Sequence, residues 1–426
     1  MLFAIAVGVG AVILVDLGVR DRVGSELVPS GAALIIALLL LHVVIRRTAP
    51  DADPLIVPIA TALNGIGIAQ IHRIDLYYEL TGWGATAIRQ IVWTLLAVVI
   101  ATVVLLVIRN HLVLLRYTYI FGLVAVVLLL LPMLPGIGKE TFGARVWIEI
   151  GAFSFQPGEI AKIALAIFFA GYLMRNRDSL SFVGKKFAGI RFPRGRDLGP
   201  LLVFWLAAMS VLIFQRDLGT SLLYFGLFLV MLYLATGRTG WVVLGVGLFL
   251  AGGLIASQVF DYVNRRFQNW LDPFHDMHGV SYQLVQGLFG LANGGMTGTG
   301  LGQGFPQETP LAQSDYIIPS IGEELGMIGL FVVLALYLVL VARGMRIGFA
   351  STDDFGKLLA GGLAFLLAFQ VFIVVGGVTR VIPLTGLTSP FLAAGGSSLI
   401  SNWIIVALFL RMSNAVRSRP KMVIRS

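Results

Sequence analysis

The amino-acid sequence predicts an all-α, polytopic membrane protein with about 12 transmembrane helices and one large loop outside the membrane. Of its 426 residues, 58% are hydrophobic and only 12% are charged, which is more apolar surface than the core of a soluble protein of this length could bury. The apolar stretches are continuous and rich in Leu, Val and Ile, without the alternation that a membrane β-strand requires. These observations favour a bundle of helices.

A helix needs about 17 to 25 apolar residues to cross a bilayer. Twelve stretches meet this condition, near 1–19, 28–45, 54–71, 91–108, 117–135, 159–174, 198–215, 218–236, 240–260, 321–342, 357–378 and 390–410. The first has no basic region before it, and Asp16 and Arg20 stand where a signal peptide would have its small-residue cleavage site, so we expect a retained helix. The chain has no cysteine, which excludes disulfides and thiolate chemistry.

The distribution of positive charge predicts the orientation. If the N-terminus is cytoplasmic, the segments on that side hold 20 of the 31 Lys and Arg residues and the outer segments hold 10. The positive-inside rule favours this orientation, with both termini cytoplasmic and the polar segment 261–320 extracytoplasmic. The net charge of +9 then points to anionic lipid headgroups as partners. Nucleic acid is not expected, because the basic residues are scattered over short loops.

A first polar feature surrounds the start of the sixth stretch. Pro157 is expected to open this helix, and Glu159 and Lys162 then project from one face because they are three residues apart. An ionisable side chain facing lipid costs about 2.5 to 3.5 kcal/mol at mid-membrane, so the pair should face protein or a polar cavity. Two interpretations stay open: a structural ion pair that joins helices, or an anion site in which Lys162 acts with Arg145.

Two further features lie in the outer segments. Arg216 and Asp217 occupy a short turn between two stretches, where they could neutralise each other or form one wall of a polar cavity. The segment 261–320 mixes acids with aromatic residues, glycines and amides, which is typical of a partly ordered loop that covers a cavity. Its candidate polar residues are Asp272, His275, Asp276, His278, Gln283, Gln286 and Asp315.

Two motifs in this segment are weak. The run Gly298-Thr-Gly-Leu-Gly-Gln-Gly304 resembles a dinucleotide fingerprint only superficially, since no strand precedes it and no βαβ unit surrounds it. His275, Asp276 and His278 are too close together on a loop to form a metal site without a further ligand. We therefore predict no dedicated protein metal site and no organic cofactor.

Five segments in a fixed order give the chain a specific resemblance. They read QPGEIAK at 156–162, QRDLGTS at 215–221, WLDPFHD at 270–276, SDYIIPSIGEELGMIG at 314–329 and PLTGLTSPFLAAGGSSLISNW at 383–403. With them the chain resembles the SEDS family (shape, elongation, division and sporulation) of FtsW- and RodA-type membrane proteins, especially RodA-type members from actinobacteria. The similarity divides the chain into two additional N-terminal helices at 1–53, a ten-helix core at 54–414 and a basic tail at 415–426.

The resemblance implies a glycosyltransferase that polymerises lipid II into peptidoglycan strands during wall synthesis and shape maintenance. The family's essential loop aspartate falls on Asp276, and a carboxylate there could take the proton from a sugar hydroxyl. Asp272 is the competing acid. Substrate contacts are expected from Glu159, Lys162, Arg145, Arg216, Asp217, Gln283, Gln286 and Asp315.

The resemblance also implies partners. A pyrophosphate leaving group needs positive charge, either from these side chains or from a divalent cation such as Mg²⁺ or Mn²⁺. A class B penicillin-binding protein, which crosslinks the new strands, is the expected protein partner. The alternative function is a flippase for a lipid-linked precursor, which would also need a polar cavity inside a helical bundle.

Overall fold

The computed structural model describes residues 1–141, 144–151, 153–177, 186–187, 190–191, a few positions between 199 and 210, and 213–418. Its helices are α1 Leu2–Arg20, α2 Val28–Thr48, α3 Ile56–Tyr77, α4 Thr86–Val107, α5 Leu112–Arg116, α6 Thr118–Leu130, α7 Pro157–Arg175, α8 Leu218–Thr236, α9 Thr239–Val259, α10 Asp261–Leu271, α11 Tyr282–Gly294, α12 Ile317–Ala350, α13 Asp354–Val378 and α14 Gly396–Arg417. Its strands are β1 Gly138–Thr141, β2 Ala144–Ile150, β3 Phe153–Phe155, β4 Lys186–Phe187 and β5 Ile190–Arg191.

The predicted class is confirmed. Among the residues that the structure describes, nine helices are long and apolar enough to cross a membrane, and 118–133 forms a shorter apolar helix. The predicted stretch at 54–71 becomes α3, which is 22 residues long but carries several buried polar side chains. The predicted stretch at 198–215 lies mostly outside the described residues.

The centre of the bundle is formed by α7, α13 and α14, with α3 and α8 beside them. Small and apolar residues surround the whole circumference of α7, so almost every side chain of that helix is buried, as expected for a helix without a polar face. By contrast, α1, α2 and α9 bury few side chains. The peripheral helices therefore present apolar residues to the bilayer.

The polar groups collect at two ends of the bundle. One end, here called the loop end, contains the segment 260–316 together with 379–395; there Arg266 Nη1 donates to the carbonyl of Thr385 at 3.2 Å. At the opposite end, Asp53 Oδ2 pairs with Arg417 Nη2 at 2.6 Å and with Arg343 Nη1 at 3.5 Å. The residues expected in outer and in inner segments thus separate in space.

The structure adds order that the sequence did not predict. Between α6 and α7, the strands β1, β2 and β3 form an antiparallel sheet in that order. The segment 261–320, expected as a partly ordered loop, contains the two helices α10 and α11. Both helices help to shape the cleft at the loop end.

A kink in α12 anchors the glycine run. Gly326 has φ 68°, and a Cβ there would lie 2.2 Å from the backbone nitrogen of Gly298, so this position requires glycine. Just before the kink, the carbonyl of Glu323 accepts from Thr299 N at 3.0 Å, and that of Glu324 accepts from Gly300 N at 2.9 Å. The glycines thus allow close backbone packing and do not form a nucleotide loop.

The first helix packs against the same run. A Cβ at Gly18 of α1 would lie 2.2 Å from the carbonyl oxygen of Leu301, and Gln303 Nε2 donates to Gly18 O at 2.8 Å. Nearby, His72 Nε2 of α3 lies 3.0 Å from Asp16 Oδ1. The two N-terminal helices are therefore joined to the core at the loop end.

Candidate functional site

An open cleft of about 560 Å³ lies at the loop end. It is bounded by α10, α11, the coil before α12 and the coil before α14, and its lining residues are Arg266, Gln283, Pro310, Leu311, Asp315, Leu384 and Gly386. A smaller space of about 50 Å³ shares three of these residues and adds Asn269, Trp270, Val280 and Leu284. The cleft thus combines an arginine, an amide and a carboxyl group with apolar walls.

Arg266 is the cationic side chain of this cleft. It lies on α10, is half-buried, and donates to the carbonyl of Thr385 at 3.2 Å. Burial raises the pKa of Asp217 and of Asp315, and in both cases the charge of Arg266 opposes that rise. Arg266 therefore acts electrostatically on both acids, and it could bind a phosphate group that enters the cleft.

Asp315 lies in the cleft wall just before α12. Burial raises the pKa of its carboxyl group to about 7, although a hydrogen bond with Ser314 and the charge of Arg266 oppose the rise. The carboxyl group is therefore divided between its ionised and protonated forms near neutral pH. Such a group can accept a proton and release it again.

Asp276 lies in the exposed turn before α11. Its Oδ2 accepts from Val280 N at 3.1 Å, and its carbonyl accepts from Gly279 N at 3.3 Å. Val280 lines the smaller space next to the cleft, so Asp276 is held at the rim and not in the wall. The competing acid, Asp272, is an exposed residue at the end of α10 whose backbone N–H donates to Gln268 O at 2.9 Å.

The two predicted amides lie on α11. Gln283 lines both spaces and donates to Pro310 O at 2.9 Å, which connects the helix to the coil that carries Asp315. Gln286 lies one turn further along α11 and is half-buried. The structure thus brings Gln283, Asp315 and Arg266 to one cleft, with Asp276 at its rim.

Glu159 and Lys162 are buried inside the bundle and do not line this cleft. Lys162 Nζ lies 2.5 Å from Glu159 Oε2 and 3.0 Å from Gln370 Oε1, while Ser401 Oγ donates to Glu159 Oε2 at 2.8 Å. The Lys162 side chain is only 2% exposed. These contacts join α7 to α13 and α14, which agrees with the structural interpretation of the pair.

Arg216 and Asp217 do not neutralise each other. Asp217 caps α8, with its Oδ1 accepting from Thr220 N at 3.0 Å and its Oδ2 accepting from the Thr220 hydroxyl at 2.5 Å. Arg216 has φ 63°, and its guanidinium lies 5.9 Å from the centre of the Tyr262 ring. Of the two alternatives, the neutralising pair is therefore not formed, while Asp217 lines a small space together with Gln215 and Thr220.

Arg145 does not lie with Lys162. It projects from β2, is 62% exposed, and its Nε pairs with Glu140 Oε2 at 2.9 Å. The anion site of Lys162 and Arg145 was one of two open interpretations, and the sheet β1-β2-β3 places Arg145 on an exposed strand. The expected anion site of Arg145 and Lys162 is therefore not formed.

A candidate site residue that sequence reasoning missed is Arg266, which lines the cleft. In the sequence it is one of several basic residues of the outer segments, and its neighbour Arg265 leaves it without a distinguishing pattern. The sequence signal that could have pointed to Arg266 is its position on an amphipathic helix, six residues before Asp272. In the part of the chain that the structure describes, no three His, Asp or Glu side chains converge as ligands for a metal, and His275 and His278 are both exposed.

Comparison with known proteins gives a family match. A family model named for FtsW, RodA and SpoVE and described as "cell cycle protein" matches residues 54–418. Peptidoglycan glycosyltransferase RodA of Mycobacterium tuberculosis is 45% identical over 98% of this chain and 91% of that protein. RodA of Mycobacterium leprae is 48% identical over 89% of this chain and 82% of that protein. A probable peptidoglycan glycosyltransferase FtsW of Geobacter metallireducens is 36% identical over 69% of this chain and 76% of that protein.

Solved structures show the same fold. Thermus thermophilus RodA superposes with a TM-score of 0.62 at 24% identity, covering 87% of this chain and 98% of that one. A chain from a peptidoglycan synthase complex that coordinates polymerization and crosslinking superposes with a TM-score of 0.61, also at 24% identity. The superposition covers 92% of this chain and 98% of that one. The similarity extends over most of the bundle.

Proposed function

The chain belongs to the FtsW, RodA and SpoVE family of cell cycle proteins, and we propose that it is a peptidoglycan glycosyltransferase that polymerises lipid II. Its relatives of 45% and 48% identity carry the name of this activity. The observation that carries the proposal is the cleft at the loop end, where Arg266, Gln283 and Asp315 meet beside the turn of Asp276. Such a cleft suits a substrate with a sugar head, a charged pyrophosphate and a chain in the bilayer.

In the proposed reaction, Asp276 acts on the acceptor sugar and Arg266 acts on the leaving group. The hydroxyl of the acceptor sugar loses its proton to the Asp276 carboxylate and forms a bond to the anomeric carbon of the donor. The bond from that carbon to the pyrophosphate breaks, and the leaving group keeps the electron pair. Arg266 stabilises the charge that develops on the pyrophosphate oxygens.

Asp315 and Gln283 are proposed to position the sugars. Gln283 already places its amide at the cleft through its bond to Pro310. Asp315, with its raised pKa, can donate to or accept from a sugar hydroxyl near neutral pH. We propose Mg²⁺ or Mn²⁺ only as a companion of the substrate's pyrophosphate, since the described residues offer no cluster of protein ligands.

The loop end is proposed to be extracytoplasmic, with both termini cytoplasmic. The excess of Lys and Arg in the segments at the opposite end supports this orientation in a plasma membrane. A class B penicillin-binding protein remains the proposed partner, supported by the similar chain in a synthase complex. Transport of the precursor loses its main support, because Glu159 and Lys162 pair inside the bundle and do not line the cleft.

Incubating the purified chain with lipid II tests this function. The Asp276→Asn variant should lose polymerisation by about 100-fold or more, the usual effect of removing a general base. Asp272→Asn is the matched control, an exposed acid four residues earlier, and it should retain activity. Equal polymer from Asp276→Asn and wild type would refute the base assignment, and lipid II translocation into vesicles without any polymer would favour the flippase.

A further inference from the structure

A second cavity lies between the N-terminal helices and the core. It has a volume of about 340 Å³ and is formed by α1, α2 and α3 with one residue of α4. It shares no lining residue with the cleft at the loop end. Two of its walls belong to residues 1–53, which lie outside the matched family model.

The walls are almost entirely aliphatic. Gly31, Ala4 and Ala32 leave the space open, whereas Gly8 and Gly65 let α1 and α3 pack in close backbone contact. The polar side chains in the lining already have partners. Asp16 binds His72 and the backbone N–H of Gly24, Asn64 donates to Phe391 O at 3.0 Å, and the Thr61 hydroxyl donates to Met1 Sδ at 4.0 Å. A polar ligand would lose its hydration without gaining a partner, so the cavity favours a hydrocarbon chain.

The length of the cavity matches a lipid chain. Along α1 it extends from Ala4 to Asp16, and a helix rise of 1.5 Å per residue makes this about 18 Å. One leaflet of the hydrocarbon core is about 15 Å thick. Since α1 and α2 bury few side chains, the cavity can be reached sideways from the bilayer.

The mouth of the cavity carries charges of both signs, since Arg20, Asp21, Arg22 and Glu26 lie at the end of α1 and in its connection to α2. Val23 and Gly24, in the connection from α1 to α2, line it, and Arg22 next to them is exposed. Arg20 is also at this end, where its Nη1 pairs with Glu26 Oε1 at 3.1 Å. An exposed guanidinium at the level of the headgroups attracts a lipid phosphate.

We propose that this cavity is a binding site for a phospholipid of the outer leaflet, with one acyl chain between α1, α2 and α3 and the phosphate beside Arg22. The orientation is the one proposed for the loop end. The site is independent of glycosyl transfer. It would hold the two N-terminal helices against the core by filling the space between them.

A phospholipid with a photoactivatable acyl chain tests the site. The full-length protein is placed in vesicles of phosphatidylglycerol and phosphatidylethanolamine, irradiated, and mapped by mass spectrometry. Labelling should concentrate on 23–38 and 61–68. Gly31→Leu, at a position where a Cβ meets nothing within 4 Å, should fill the cavity and reduce this labelling about tenfold, equivalent to losing the burial of roughly two methylene groups.

Two matched variants control the experiment. A Cβ at Gly10 of α1 would also meet nothing within 4 Å, but Gly10 does not line the cavity, so Gly10→Leu should leave labelling unchanged. Arg22→Gln should reduce labelling by the probe, because the phosphate loses its cationic partner, while Arg89→Gln, at an exposed arginine of α4, should not. Uniform labelling of the lipid-facing helices, or labelling unaffected by Gly31→Leu, would overturn the proposal. Displacement of the probe by a polyprenyl phosphate, but not by phosphatidylglycerol, would overturn the assignment to a phospholipid.

Discussion

At the scale of single residues, the proposed chemistry of the cleft depends on Arg266, a cation whose charge acts on two acids. The positive charge of Arg266 acts on the carboxyl groups of both Asp217 and Asp315. Its hydrogen bond to the backbone carbonyl of Thr385 holds its side chain at the cleft wall. A delocalised guanidinium suits a pyrophosphate because it offers several donors in a fixed plane. Its replacement should therefore affect the chemical step more than folding.

Arg266→Gln should reduce the kcat of lipid II polymerisation by about 10²- to 10³-fold, the usual effect of removing one group that stabilises developing charge. Arg266→Lys should recover part of the rate. Arg265→Gln is the matched control, since Arg265 is the exposed neighbour on the same helix. A change confined to KM would show that Arg266 binds the ground state and does not stabilise the transition state.

The pKa of Asp315 predicts a dependence of stability on pH. Its carboxyl group holds a proton more firmly in the folded protein, with a pKa of about 7 against an ordinary value of 3.8. The stability that this provides is complete below the ordinary pKa and is lost as pH rises through about 7. The melting temperature of wild type relative to Asp315→Asn should fall between about pH 4 and pH 7. A constant difference over this range would show that the pKa is not raised.

At the scale of elements, the buried pair on α7 locks three helices together. Removing one partner of a buried ion pair leaves an uncompensated charge, which costs about 3 to 5 kcal/mol. Glu159→Lys and Lys162→Glu should each destabilise the protein by at least that amount, because each places two like charges side by side in the bundle. The double swap should recover a part of the loss, limited by the specific contacts with Gln370 and Ser401.

A thermal-unfolding cycle in detergent measures this coupling. The free energies of the two single variants and the double variant give the interaction directly. If the double variant loses as much as both singles combined, the pair is not coupled.

The kink in α12 makes a second prediction at this scale. Gly326→Ala forces a side chain into a left-handed backbone and against the nitrogen of Gly298, and such strain costs about 1 to 3 kcal/mol or more. Gly10→Ala, at an open helical position, should be neutral or slightly stabilising. Equal melting temperatures for the two variants would contradict the role of Gly326.

Most elements were predictable from sequence, but their contacts were not. Pro157 correctly marked the start of α7 because its ring fits the first turn of a helix. The sheet of β1, β2 and β3 was not predicted, because its strands of 4, 7 and 3 residues are short beside the long apolar stretches on either side. Lys162 could not be assigned from spacing alone, since its burial depends on Gln370, more than 200 positions later. The cleft likewise brings together Arg266 and Asp315, which are far apart in the sequence.

At the scale of the whole molecule, the two polar ends define a direction across the bilayer. The absence of cysteine allows single cysteines to report this direction without background labelling. Phe274→Cys, at an exposed position of the loop end, should react with a membrane-impermeant maleimide in intact cells. Arg47→Cys, at the opposite end, should react only after permeabilisation. The reverse pattern would invert the topology and remove Asp276 from the extracytoplasmic side.

The bond from Gln303 to the carbonyl of Gly18 has a practical consequence for protein engineering. A chimaera that transplants only residues 54–418 onto a shorter relative would leave the glycine run without the backbone surface on which it rests. Chimaeras of family members should therefore take α1, α2 and the glycine run 298–304 from the same parent protein.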